Sequence, residues 1–161
     1  MYSIAHLHLL LNHLPIIVTG LGLLLLGVAL LKRRDDLARM ALVFFVGGAL
    51  SALPTYLTGE PAEETVEDLP GVTKALIERH EDAALVAAII VGALGAYALW
   101  ALWRYRRPSA LPAWVVRVAL VAALVGSGAM AWTGLLGGEV RHTEVRSDFV
   151  LPAHDGDSGA P

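Results

Sequence analysis

Two histidines stand where a lipid-facing helix has no use for them. His13 lies in "LLLNHLPIIVTG" (9–20) and His80 in "LIERHEDAALV" (76–86), each at the mouth of a long apolar run. An ionisable side chain inside such a run is expensive and by default marks function, facing the interior of a helix bundle. Two neutral imidazoles from facing helices are what a six-coordinate b-type haem requires. His13 and His80 are therefore expected as axial ligands of the haem iron. Arg79 and Arg141, with Lys74 nearby, are the cations that would meet haem propionates at the surface.

The carboxylates allow a second chemistry. Glu60, Glu64 and Glu139 lie near helix ends, and "GGEVRH" sets Glu139 and His142 three residues apart, on one face if the helix continues. With His8, His13 and His80 they form a set of mixed nitrogen and oxygen donors suited to a Zn, Cu or Fe ion. The chain has no cysteine, so thiolate sites, iron–sulfur ligation and disulfides are excluded. Nothing in it resembles a phosphate loop, a serine nucleophile or a nucleic-acid patch. The donors suit an electron carrier better than a catalyst.

The elements that must position these groups are membrane spans. The 161 residues are 56% hydrophobic, and the apolar residues fall into four blocks, 9–31, 37–57, 83–103 and 112–136. Each reaches the length of about 20 residues that a bilayer demands. The expected fold is all-α, a four-helix transmembrane up-down bundle over residues 1–145, followed by a disordered tail at 146–161 that holds His154. The connections at 32–36 and 104–111 are tight, whereas 59–79 is longer and acidic. Pro61 with Glu63 and Glu64 suits a short surface helix there, closed by Pro70–Gly71.

Charge orients the bundle. Lys32, Arg33, Arg34 and Arg39 surround the first connection, and Arg104, Arg106, Arg107 and Arg117 the third. Short loops rich in Lys and Arg stay in the cytoplasm. Both termini and the 59–79 connection are then periplasmic, in a bacterial inner membrane, on the side that carries all six histidines and all the acids but Asp35 and Asp36. Trp100, Trp103, Tyr105 and Trp114 form an interfacial belt at the basic end. Glycines in all four spans suit close packing of membrane helices, and beside a ligating histidine they would leave a slot for a flat macrocycle.

The two halves echo each other. Helices 1 and 3 open with His13 and His80, and helices 2 and 4 close with "YLTGE" (56–60) and "WTGLLGGE" (132–139). A duplicated hairpin is expected from this, with a pseudo-twofold that sets His13 opposite His80.

"HLLLNHLPI" (8–16) resembles the H-P-x-x-V-H-F-P-I opening of an uncharacterised family of four-helix bacterial membrane proteins. Thr58–Gly59, His80 and the closing Gly137-Gly138-Glu139-Val140 match that family's later marks, so the resemblance spans roughly 6–145. Leu9 departs from the pattern, where the family has proline, and "RHTEV" replaces an aromatic-rich tail. Some members are fused to Rieske iron–sulfur domains, which implies a redox setting.

The leading expectation is thus a membrane-bound b-type haem electron-transfer protein, with Glu60 and Glu139 orienting the imidazoles. Its partners would be the lipid bilayer and a periplasmic cytochrome, a Rieske-type protein or a quinone. The alternatives are a metal-ion binding or transport module and a structural subunit of a respiratory complex, either of which could be a homodimer.

Overall fold

A computed structural model describes residues 4–106, 110–147 and 149–150. The elements are α1 (Ile4–Leu11), α2 (His13–Lys32), α3 (Asp35–Leu57), α4 (Gly59–Glu63), α5 (Lys74–Arg104), α6 (Ala113–Arg141) and a 3₁₀ turn at Thr143–Val145. In hydrocarbon every backbone N–H and C=O must be satisfied within the chain, which these long helices do. Four stretches are long and apolar enough to cross a membrane: Ile4–Lys32, Asp35–Leu57, Lys74–Arg104 and Ala113–Arg141. This is an all-α, four-helix membrane protein. Arg107, His154 and most of the tail expected at 146–161 lie outside the described residues.

The spans close into a ring. α2 packs on α3 and α6, and α5 packs on the same two helices. α2 and α5 are therefore diagonal, the second hairpin (α5–α6) lying against the first (α2–α3). Small residues let the backbones approach. A Cβ on Gly22 would meet the Phe45 ring at 2.7 Å, and one on Gly48 would meet Thr19 Oγ1 at 2.5 Å. By contrast Gly20, Gly27, Gly92 and Gly128 have nothing within 4 Å of such a Cβ, so only part of the glycine content serves helix packing.

Burial reveals the repeat more sharply than the sequence echo does. In α2 the buried residues are Pro15, Thr19, Gly22, Leu26 and Ala29; shifted by 72 positions (15 to 87) they become Ala87, Val91, Leu94, Ala98 and Ala101, all buried in α5. In α3, Ala41, Phe45, Gly48 and Ala52 become, shifted by 78 (41 to 119), Ala119, Ala123, Gly126 and Met130, all buried in α6. α3 adds Ala38 and Leu42, α5 adds Ile77 and Gly95, and α6 adds Val115 and Leu136, so the repeat is approximate.

The basic end is tied by polar contacts across the two hairpins. Asp35 accepts from Arg39 Nε at 2.7 Å and from the Leu111 N–H at 2.6 Å, and Arg39 Nη1 donates to the Tyr105 carbonyl at 2.8 Å. Trp100 lies 5.5 to 6.1 Å, centroid to centroid, from Tyr97, Tyr105 and Trp114. Above this end the core is apolar, apart from the buried Thr19, as far as Ala52, Ala87 and Met130. The histidines lie beyond that level, at the acidic end.

Candidate functional site

A proline delivers the first imidazole. Pro15 has no N–H, so the carbonyl of Leu11, four residues back, loses its helical partner. Thr55 of α3 takes its place: its hydroxyl lies 3.1 Å from Leu11 O and 2.9 Å from Ser51 O. The hydrogen-bond ladder is interrupted at Asn12, whose backbone stays helical (φ −60°, ψ −26°), and α1 contacts α3 and α4. That puts His8 over the end of α3, where Nδ1 lies 3.2 Å from the Thr55 carbonyl and 3.1 Å from Thr58 Oγ1. A Cβ on Gly59 would sit 3.8 Å from the ring carbon Cε1.

His80 needs no such interruption. It lies in the second turn of the unbroken α5, and its Nδ1 is 3.1 Å from the Thr133 carbonyl of α6. Gly137 presses on the ring: a Cβ there would stand 2.9 Å from Cε1 and 3.3 Å from Nδ1. Thr133 Oγ1 donates back to Ala129 O at 3.0 Å, as Thr55 Oγ1 does to Ser51 O.

The two sites are one arrangement used twice. Each imidazole meets a threonine carbonyl and a glycine four residues further on, Thr55/Gly59 and Thr133/Gly137. The shift from His8 to His80 is the 72 of the buried positions (8 to 80), and the shift from Thr55 to Thr133 is their 78 (55 to 133). A carbonyl can only accept, so a neutral His80 donates from Nδ1 and keeps Nε2 as a bare lone pair; His8 does the same when it uses the Thr55 carbonyl rather than the Thr58 hydroxyl. Metal-bound histidines use this same outer hydrogen bond to fix tautomer and ring orientation. His8 and His80 are also close enough for charge on one to act on the other.

The other expected residues separate. His13, in the first turn of α2, is exposed; its counterpart under the 72-residue shift (13 to 85) is Leu85, 42% exposed. The pseudo-twofold thus sets His80 against His8, five residues before His13. Glu60 is exposed, and Glu139 meets Arg79 at 3.9 Å. Threonine carbonyls, rather than these carboxylates, hold the imidazoles. α6 ends at Arg141, so His142 leaves the face that carries Glu139 and pairs with Glu144 at 2.9 Å. Arg141 is exposed, and Lys74 pairs with Glu78 at 3.9 Å. Glu64 is exposed, whereas Glu63 hydrogen-bonds Glu81 on α5, which raises the Glu63 carboxyl above its ordinary pKa. Among the described residues no three His, Asp or Glu side chains converge as ligands of one ion.

Sequence reading missed the cups because a backbone carbonyl leaves no letter. The available signal was the shared Thr-x-x-x-Gly at 55–59 and 133–137.

A bundle of four apolar helices with a polar histidine end defines a small polytopic membrane protein. The chain belongs to the family described as predicted membrane protein (DUF2231), whose model matches residues 5–145. Comparison with curated proteins and with solved structures found no match to either.

Proposed function

We propose that the protein is a membrane-bound electron carrier that binds a b-type haem at the acidic end of the bundle. One observation carries the reading: two imidazoles with Nδ1 engaged stand at equivalent places at the acidic end of the two hairpins, and among the described residues no third donor joins them. A bare Zn or Fe ion takes four or more ligands, of which these two residues would supply only two. A metalloporphyrin brings four nitrogens of its own and asks the protein for two axial ones. The donor set therefore fits a haem better than an ion held by the outer His/Glu cluster.

The chain's own residues have distinct tasks in this reading. Thr133 O and Thr55 O hold the rings and increase the basicity of Nε2. Apolar Ile16, Ala52, Ala87 and Met130 close the side towards the bundle core and exclude water. Arg79, 58% exposed beside Glu139, is the cation placed to meet a propionate. When bound, the haem would supply one-electron chemistry. The basic connections favour a cytoplasmic position, which turns the histidine end outward across a bacterial inner membrane. A periplasmic cytochrome, a quinone or a Rieske-type centre of the kind fused to resembling proteins would be the exchange partner.

The test is an absorption spectrum of protein purified in detergent after expression with ample haem, oxidised and then reduced with dithionite. A sharp Soret band that shifts on reduction, with resolved α and β bands, is expected. A featureless visible spectrum would refute the haem.

A further inference from the structure

We infer that His8 and His80 form a twofold-related pair of Nε2 donors, built by duplication of one hairpin, that takes a single metal centre of intermediate softness between them. The identification of that centre as a haem rests on the reading above; the pairing does not.

Three observations bring the pair out. The shifts that superpose the buried faces of the two hairpins also superpose His8 on His80, Thr55 on Thr133 and Gly59 on Gly137. Each ring is held at Nδ1 by the matching carbonyl, at 3.2 and 3.1 Å, so each presents the same nitrogen. Each also meets its glycine through Cε1, the carbon between the two nitrogens. A Cβ at 137 would crowd the ring edge at 2.9 Å, whereas one at 59 would make ordinary contact at 3.8 Å, so the glycine is required in the second half only.

The two hairpins reach this arrangement by different routes, which argues that the arrangement itself matters. In the second half an unbroken helix carries His80. In the first, Pro15 interrupts the helical hydrogen-bond ladder between α1 and α2, and the Thr55 hydroxyl of α3 reaches the Leu11 carbonyl that the proline leaves free. Asn12 Oδ1 is buried without a hydrogen-bond partner at that interruption.

A centre lying between two such nitrogens would be an imidazole-preferring metal: Fe in a porphyrin, or Zn or Cu with water or a second copy completing its shell. Both sources share the two Nε2 bonds, and binding releases no proton from a neutral ring held in this tautomer.

The experiment has a ligand-free arm and a binding arm. In the first, histidine-¹⁵N-labelled protein in detergent is examined above neutral pH by long-range proton–nitrogen correlation. Two neutral rings protonated on Nδ1 are expected, one lost in His8→Asn and the other in His80→Asn. Asparagine keeps a donor near the Nδ1 position, so these variants preserve the hydrogen bond and the fold while removing the ligating nitrogen. In the second arm hemin and Co²⁺ are titrated separately into wild type and variants. Loss of at least tenfold in affinity for whichever probe binds is expected in both variants, with His13→Asn unchanged.

Hemin binding that depends on both residues supports the pair and the haem together. Co²⁺ binding with that dependence but no hemin binding supports the pair and refutes the haem. Nδ1-protonated rings absent from His8 and His80, neither probe binding, or loss in His13→Asn with His8→Asn unchanged would overturn the inference.

Discussion

The two halves of the bundle share most of their buried helix positions and set a histidine against the same kind of carbonyl. Yet one histidine lies in an uninterrupted helix and the other ahead of a proline that interrupts the hydrogen-bond ladder. His80 belongs to α5, which runs unbroken from Lys74 to Arg104 and already buries Ile77 one turn earlier. His8 belongs to α1, which buries no residue and meets α2 at that interruption. Continuity makes the second imidazole a fixed part of the scaffold. The first depends on a few hydrogen bonds, each worth about 0.5–1.5 kcal/mol net. A duplicated element can thus keep its chemistry while its mechanical support diverges.

The largest effect expected is at the rings themselves. His80→Ala removes the fixed donor and should abolish binding of the centre, as judged by the loss of the Soret band; unchanged binding would break the equivalence of the two halves. Gly137→Ala comes next. The added methyl would lie 2.9 Å from His80 Cε1, so the ring must shift. Overpacking of this kind costs roughly 1–3 kcal/mol, and a lower melting temperature with weakened binding is expected. Gly59→Ala is the matching change in the other half, where 3.8 Å is ordinary contact, and it should leave both measurements nearly as they are. Equal losses at 59 and 137 would contradict the observed asymmetry.

Pro15→Ala sharpens the comparison from the side of the interruption. The restored N–H competes with Thr55 for the Leu11 carbonyl and loosens the tie between α1 and α3. The bundle should melt at a similar or higher temperature while affinity for the centre falls about 10–100-fold, the range seen when support behind a ligand is lost. Affinity unchanged would mean that the interruption does not position His8.

The smallest effect is electrostatic. The Glu63–Glu81 hydrogen bond, followed by burial and by repulsion from Glu81, raises the Glu63 carboxyl. A carboxyl raised on folding stabilises the fold while it is protonated. The contribution is complete below the ordinary carboxylate pKa and is lost as pH rises through the raised value. Melting temperature should therefore decline slightly across the mildly acidic range, and Glu63→Gln should flatten that decline; a variant curve parallel to wild type would exclude the shared proton.

Much of the fold was legible because lipid imposes a simple rule. Blocks at 9–31, 37–57, 83–103 and 112–136 had to be helices, and each matches a helical stretch, the last starting one residue late at Ala113. The run from Val72 onward reads as continuous helix that begins about two turns outside the membrane, and α5 does begin at Lys74. The separate α1 ahead of α2 is where prediction ran short. The histidine end was legible as a region, its geometry less so. Aligning His13 with His80 by their place at the mouth of a span ignored the 3.6-residue period, which assigns His8 and His80 to equivalent positions five residues from where composition pointed. Glu139 and His142 share a helix face only while the helix lasts, and it ends at Arg141.

The most direct test of the central claim compares His8→Ala and His13→Ala, each purified with ample haem and recorded oxidised and reduced. Loss of the resolved α and β bands in His8→Ala, with a wild-type spectrum in His13→Ala, is the predicted result. The reverse pattern would contradict the account, because the ligand would then come from the exposed first turn of α2 and not from the twofold-related cup.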